Sequence, residues 1–435
     1  MQNKKITLKM IGYASDGAGV SHLEDGRVMF VKGGLAGETC EVLPVKLGKN
    51  ATWGTVTKVL ESSPERIPSD CPYYPTCGGC QLRHMTYQEE LFAKHQRVQD
   101  TLTRIGSLRI EVPAVIPALD QNRYRNKIQF PVAPGSAAPR IGFYRAGTHD
   151  VVNTADCLLQ PEAGSRLRQA VQDWMCAENI PAYDERKHEG MIRHVFLRVN
   201  HKGESLCAIV ANAKKLPKAD ELIARLRAVE PGLLGVMLSV NCEQTNVILG
   251  KELHCLWGQD FLEDKICGLD VKLSALSFYQ VNRTQAEVLY QNTIELAELK
   301  KTDVVLDLYC GIGTITMILA QKAGQAIGAE IIPAAVRDAR ENAKKNGIEN
   351  IEFLCADAGD AAETLTERGI KPDVICVDPP RKGLARPVID AILKLSPDRI
   401  LYVSCDPATL ARDLKLLVGY EVKTVRAVDM FPRTM

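Results

Sequence analysis

Val304-Val305-Leu306-Asp307-Leu308-Tyr309-Cys310-Gly311-Ile312-Gly313-Thr314 is the stretch that decides the fold. An apolar run of strand length breaks into a two-glycine turn, and a helical stretch follows. The alternation recurs at Ala326-Ile327-Gly328-Ala329-Glu330, Ile351-Glu352-Phe353-Leu354, Val374-Ile375-Cys376-Val377 and Arg399-Ile400-Leu401-Tyr402-Val403. Apolar strands separated by amphipathic helices predict a doubly wound parallel sheet. Ligands of such sheets sit at the carboxyl ends of the strands, and glycines there let the backbone pass close to them. Glu330 ends the second strand, placed to accept hydrogen bonds from a ribose, and Asp357 follows the third. The third glycine of the dinucleotide fingerprint is missing, which favours a nucleoside ligand over a pyrophosphate. S-adenosylmethionine is the leading cofactor. The fourth strand ends in Asp378-Pro379-Pro380-Arg381, a stiffened loop whose aspartate stands at the pocket rim. Methyltransferases acting on exocyclic amines place an aromatic after such a loop; Arg381 stands there instead.

Working outward, residues 1–60 alternate apolar and polar positions at Ile6–Met10, Val28–Val31 and Cys40–Val45, with glycine turns between them. This reads as about five strands of a small oligonucleotide-binding-like barrel. Such barrels take single strands on a basic, aromatic face, though many bind nothing. A proline-punctuated linker at Glu61–Pro68 leads into a central α+β segment, 61–270, with a helix over Tyr87 to Leu102 and strand-like Ile192–Val199. Within it, Tyr124-Arg125-Asn126-Lys127 is a candidate RNA or phosphate contact. Residues 271–435 form the α/β domain.

The chain has 435 residues, 46% hydrophobic and 25% charged, enough for two or three domains. No apolar run spans a bilayer and no secretory start is present, so a soluble, cytoplasmic protein is expected. A net charge of +1 confines any nucleic-acid affinity to local patches. The 14 cysteines read as reduced thiols and possible ligands.

Two groups of cysteines stand out. Cys405, in Ser404-Cys405-Asp406-Pro407, ends the last strand where a helix is predicted to begin at Pro407. The positive end of that helix is expected to favour the thiolate and lower the thiol pKa, making Cys405 a candidate nucleophile. Cys71, Cys77 and Cys80 supply three thiols with five and then two residues between them. A closed site needs a fourth ligand, assigned to Cys157, and the set suits either zinc or an iron–sulfur cluster. The spacing is not that of radical S-adenosylmethionine enzymes.

Together these residues resemble the RNA uracil-C5 methyltransferase family, in its 23S ribosomal RNA branch with an N-terminal TRAM domain. The resemblance covers essentially the whole chain. It is carried by Gly17-Ala18-Gly19-Val20, Phe30-Val31, Gly37-Glu38, the three-cysteine loop, Phe278-Tyr279-Gln280-Val281-Asn282, Asp307 to Thr314, Asp378-Pro379-Pro380-Arg381 and Ser404-Cys405-Asp406-Pro407. It implies a Rossmann-like class I methyltransferase domain and a 4Fe-4S cluster on Cys71, Cys77, Cys80 and Cys157. Gln280, Tyr309, Glu330 and Asp378 would belong to the S-adenosylmethionine and base pocket, with Cys405 as the nucleophile. Ribosomal RNA is the implied partner, with a monomer and no membrane.

The family takes its general base from a glutamate shortly after a Met-Phe-Pro-Xaa-Thr run, and this chain ends at Met430-Phe431-Pro432-Arg433-Thr434-Met435. The same segment would form an antiparallel strand between the strand ending at Cys405 and one at Val422–Val425. A C-terminally truncated chain with a gap in its sheet is therefore expected. Rival readings are an amino-group methyltransferase, a tRNA-directed enzyme and a non-catalytic RNA-binding or ribosome-assembly protein.

Overall fold

The computed structural model describes residues 4–275 and 277–435; residues 1–3 of the N-terminal segment and Leu276 of the C-terminal one lie outside the described residues. The chain divides into two compact units, Met1–Gln121 with Tyr144–His149 and Val425–Met435, and Asn122–Phe143 with Asp150–Thr424.

The first unit carries β1 (Ile6–Lys9), β2 (Gly12–Tyr13), β3 (Gly19–His22), β4 (Val28–Lys32), β5 (Thr39–Leu47), β6 (Ala51–Glu61) and α1 (Tyr87–Arg104). The strands form one six-stranded sheet in the order β1-β5-β6-β4-β3-β2. One more strand forms than the sequence suggested, because Gly12–Tyr13 pairs with β3 across the glycine turn. Alternation sends Met29, Val31, Cys40 and Val42 into a core with Met10 and Leu23. Gly54 is needed there, since a Cβ would stand 2.7 Å from Val42 Cγ1 and 3.0 Å from the Leu43 carbonyl oxygen, as well as against the Met29 tip. The Thr86 hydroxyl caps α1 by accepting from Glu89 N–H at 3.3 Å. The chain end is tied to that helix. Lys94 pairs with Asp429 at 2.6 Å, and Arg433 N–H donates to Glu90 at 2.7 Å.

The second unit begins with β7 (Lys127–Ala133), β8 (Arg140–Tyr144), β9 (Val151–Asn153), α2 (Glu162–Ala177), β10 (Ile192–Val199), β11 (Ser205–Ala211), α3 (Ala219–Val229), β12 (Leu233–Val240) and β13 (Glu252–Gly258). These give a seven-stranded sheet in the order β13-β12-β11-β10-β7-β8-β9. β10 and β11 are buried along their whole length, which explains their unbroken apolar character. Trp174, Leu167 and Leu222 pack against one face of it. A hairpin follows, β14 (Phe261–Ile266) and β15 (Leu269–Ser274).

The unit continues with α4 (Arg283–Ala297), β16 (Val304–Leu308), α5 (Thr314–Ala320), β17 (Gln325–Glu330), α6 (Pro333–Lys345), β18 (Ile351–Cys355), α7 (Ala358–Glu367), β19 (Val374–Val377), α8 (Arg386–Leu395), β20 (Arg399–Tyr402) and α9 (Pro407–Leu414). The sheet order is β18-β17-β16-β19-β20, and every pairing is parallel. This is the predicted α/β architecture. Val388, Ile389, Ile392 and Leu395 on α8 fall on one helical face and join the core; each contributes roughly 1.5–3 kcal/mol of burial. The order reverses between β16 and β19, so a crevice opens at the carboxyl ends of these strands. Val422–Val425 forms no strand, contrary to expectation. Its β-branched residues have the local preference but no neighbouring ladder, and β20 has β19 as its one partner among the described residues.

Candidate active site

The turn after β16 combines three left-handed residues, Tyr309 (φ +68°), Gly311 (φ +56°) and Gly313 (φ +79°). Gly313 has no substitute, because a Cβ would lie 2.6 Å from the Phe353 ring. At Gly311 a Cβ would meet nothing within 4 Å, leaving open space beside a bare backbone. Tyr309 lacks the glycine exemption, so its conformation stores roughly 1–2 kcal/mol of strain. Hydrogen bonds from Tyr309 and Cys310 N–H to the carbonyl of Ala329, at 3.0 and 3.1 Å, hold the bend. Glu330 ends β17 beside it and accepts from Gly311 N–H at 3.2 Å and Ile332 N–H at 2.9 Å. Open space at Gly311 and an adjacent acid fit a nucleoside with ribose hydroxyls to donate.

Gln280 approaches from another direction. Its loop is fixed by Asn126, whose amide donates to the Gln280 carbonyl and whose N–H donates to the Val281 carbonyl, both at 2.8 Å. Asn282 then caps α4 by accepting from Gln285 N–H at 3.2 Å. The Tyr124–Lys127 segment thus has a structural duty the sequence did not reveal. On α4, buried Tyr290 bonds to the Gln280 side chain and faces Asp378 and Asp307.

Asp378 and Cys405 leave the ends of neighbouring strands, joined by Val403 N–H donating to the Val377 carbonyl at 2.9 Å. Burial pushes the Asp378 carboxyl up to about 6. The buried Asp413 of α9 accepts from Leu384 N–H and Tyr402 hydroxyl, each at 2.7 Å, and pairs with Arg412. Arg412 in turn donates to the Lys382 carbonyl at 2.8 Å. The Pro379–Leu384 loop and the Cys405 turn are therefore braced by one carboxylate.

The helix at Pro407 forms as predicted, but the thiol pKa is raised rather than lowered. Although Cys405 is exposed, the protein around it desolvates the thiolate, and Asp378 and Asp406 repel it. Asp406 caps α9, accepting from Ala408 N–H at 2.8 Å, so a carboxylate already occupies the positive helix end. The opposing influence is Arg381, whose charge favours the thiolate. Sequence reasoning gave Arg381 no such role.

The three loop thiols belong to the first unit, and Cys157 to the second. Cys71, Cys77 and Cys80 are close enough to repel one another as thiolates. Gly79 N–H and Arg83 Nε donate to Cys77 and Cys80 sulfur, each at 3.4 Å. Among the described residues, no set of three or more His, Cys, Asp or Glu side chains is arranged to hold a metal ion. No described helix is long and apolar enough to cross a membrane.

The family model described as tRNA (Uracil-5-)-methyltransferase matches residues 254–435. An uncharacterized RNA methyltransferase of Clostridium tetani is 39% identical over 436 residues, covering 100% of this chain and 95% of its own length. One from Halalkalibacterium halodurans is 40% identical over 439 residues, with 100% and 95% covered. The chain belongs to the RNA uracil-5-methyltransferase family. The crystal structure of Pyrococcus abyssi tRNA (uracil-54, C5)-methyltransferase in complex with S-adenosyl-L-homocysteine matches with a TM-score of 0.79 at 26% identity. It covers 98% of this chain and 96% of that one. This family member is thus an RNA methyltransferase with S-adenosylmethionine as its cofactor.

Proposed function

We propose that the protein methylates carbon 5 of a uridine in 23S ribosomal RNA through covalent attack by Cys405. The observation that carries this is the convergence of Cys405, Asp378 and Arg381 at the ends of β19 and β20. S-adenosylmethionine, when bound, supplies an electrophilic methyl group. Arg381 favours the Cys405 thiolate, which adds to carbon 6 of a uracil flipped from its stack and makes carbon 5 nucleophilic. Asp378, whose carboxyl burial pushes up to about 6, can in its protonated form donate to an oxygen of the base as negative charge builds there. Gln280, oriented by Tyr290 and Asn126, hydrogen-bonds the base edge or the cofactor. Tyr309 and Glu330 hold the nucleoside part of the cofactor. Once carbon 5 is methylated its proton passes to a general base, and the Cys405–carbon 6 bond breaks to return the thiolate.

Cys71, Cys77, Cys80 and Cys157 would hold a 4Fe-4S cluster that braces the fold. Support comes from three soft thiols on one loop with N–H donors aimed at two of their sulfurs. The N-terminal sheet offers an RNA surface, where Phe30 lies 5.8 Å from Trp53 and Lys46 sits 5.1 Å over the Trp53 ring. A tRNA substrate is the second reading, favoured by the description of the matching family and by the Pyrococcus enzyme. Mass mapping of 5-methyluridine in both RNAs, from cells with and without the gene, decides it. Loss confined to 23S ribosomal RNA supports the first reading; loss confined to tRNA replaces it with the second.

A further inference from the structure

Gln280 acts from a loop that neighbouring strands of the central sheet hold at both ends. At one end Asn126, just before β7, bonds the Gln280 and Val281 carbonyls. At the other, Arg198 near the end of β10 donates from Nη2 to the Ser277 carbonyl at 2.7 Å. The two anchors are themselves joined, since Val199 N–H donates to the Asn126 carbonyl at 2.8 Å and Arg198 is the register partner of Lys127. The Ser277 hydroxyl is tied to a third element, donating to Asp338 of α6 at 3.1 Å. Between the anchors Phe278 is exposed, whereas Tyr279 is buried.

Arg198 is 2% exposed, a rare place for a guanidinium. Burial pulls it down to about 10, opposed by Tyr279 and by Asp264 of β14. Asp264 Oδ1 is already taken, accepting from His201 N–H at 3.0 Å and Lys265 N–H at 2.8 Å, with His201 Nδ1 at 2.6 Å. Asp264 Oδ2, the Tyr279 hydroxyl, and Arg198 Nε and Nη1 are buried and complete no hydrogen bond among the described residues. A buried guanidinium with most of its donors unused stabilises a core poorly, and an apolar side chain of similar length does as well or better. The one complete side-chain bond of Arg198 among the described residues goes to the loop backbone. We propose that Arg198 is a positioning residue for methyl transfer, holding the Ser277–Gln280 loop on the central sheet so that the Gln280 side chain is aimed at the reacting groups. This rests on Gln280 belonging to the base or cofactor pocket. A reacting group displaced by about 1 Å can lose on the order of a hundredfold in rate, so an anchor three residues away is felt at the chemistry.

The test is a double-mutant cycle in the full chain, read as single-turnover methyl transfer from labelled S-adenosylmethionine to unmodified 23S ribosomal RNA and tRNA transcripts. Gln280→Ala and Arg198→Met should each slow transfer about tenfold or more. Because Arg198 acts through Gln280, the double variant should be at most about twofold slower than Gln280→Ala alone, whereas a merely structural role multiplies the two losses. Arg198→Lys keeps the charge near Asp264 and serves where Arg198→Met folds poorly; it should slow transfer about threefold, with the same non-additivity. Multiplied losses, or wild-type transfer in the Arg198 variants, overturn the proposal alone. A wild-type rate in Gln280→Ala overturns the pocket reading of Gln280 and the proposal with it.

Discussion

Replacing Asp307 by asparagine should stabilise the protein, and by an amount that depends on pH. The side chain is buried, its Oδ2 is bonded to Thr316, and its Oδ1 is unsatisfied. Burial, reinforced by Asp378, lifts the carboxyl from 3.8 to about 7. In the unfolded chain the group ionises near its ordinary value, while the folded protein keeps the proton until pH 7. Folding stability therefore falls as pH rises between about 4 and 7 and is flat above, where the accumulated penalty is on the order of 4 kcal/mol. Asparagine imitates the protonated acid and carries no such penalty. Urea unfolding followed at pH 4.5 and pH 8 should show the variant gaining about 3 kcal/mol more at the higher pH. A difference between variant and wild type that does not change with pH would refute the claim that Asp307 is held protonated.

Three further substitutions probe separate parts of the site. Arg381→Ala removes the cation that favours the Cys405 thiolate, so alkylation of Cys405 by iodoacetamide at pH 8 should slow about threefold; an unchanged rate would remove Arg381 from the account. Gly311→Ala places a Cβ in the open space of the turn at φ +56°, and should weaken S-adenosylmethionine binding at least about tenfold in calorimetric titration for about 1 kcal/mol of lost stability. Asp413→Ala leaves Leu384 N–H, the Tyr402 hydroxyl and Arg412 without their shared acceptor, and should cost about 3–5 kcal/mol in chemical unfolding.

The sequence made the α/β sheet legible because its strands are buried on both faces. A buried strand must be apolar throughout, so β16 and β19 occupy the residues their apolar runs marked. β10 behaved the same way in the central sheet. Val422–Val425 shows the limit: local preference without a partner makes no strand. At the site, the turn and the Cys405 helix start could be read because they are local. The electrostatics could not. The cap at Asp406 was visible as a residue type, but its effect on the thiol depends on where the carboxylate points, and the counteracting Arg381 sits 24 positions earlier in the chain. Asn126 and Gln280 meet across 154 positions, a contact that no spacing rule announces. Tyr290 sits on an amphipathic helix where a buried aromatic ordinarily means packing.

The central claim is that Cys405 bonds to carbon 6 of a uracil. It is tested most directly by incubating the protein with S-adenosylmethionine and 5-fluorouridine-substituted 23S ribosomal RNA or tRNA, then identifying the cross-linked peptide by mass spectrometry. Fluorine at carbon 5 blocks the final proton loss, so a methylated covalent adduct accumulates whichever group serves as the base. The account predicts an adduct on the peptide containing Cys405, lost in Cys405→Ala although that variant still binds S-adenosylmethionine. An adduct on another residue, or methylation persisting in Cys405→Ala, would contradict it.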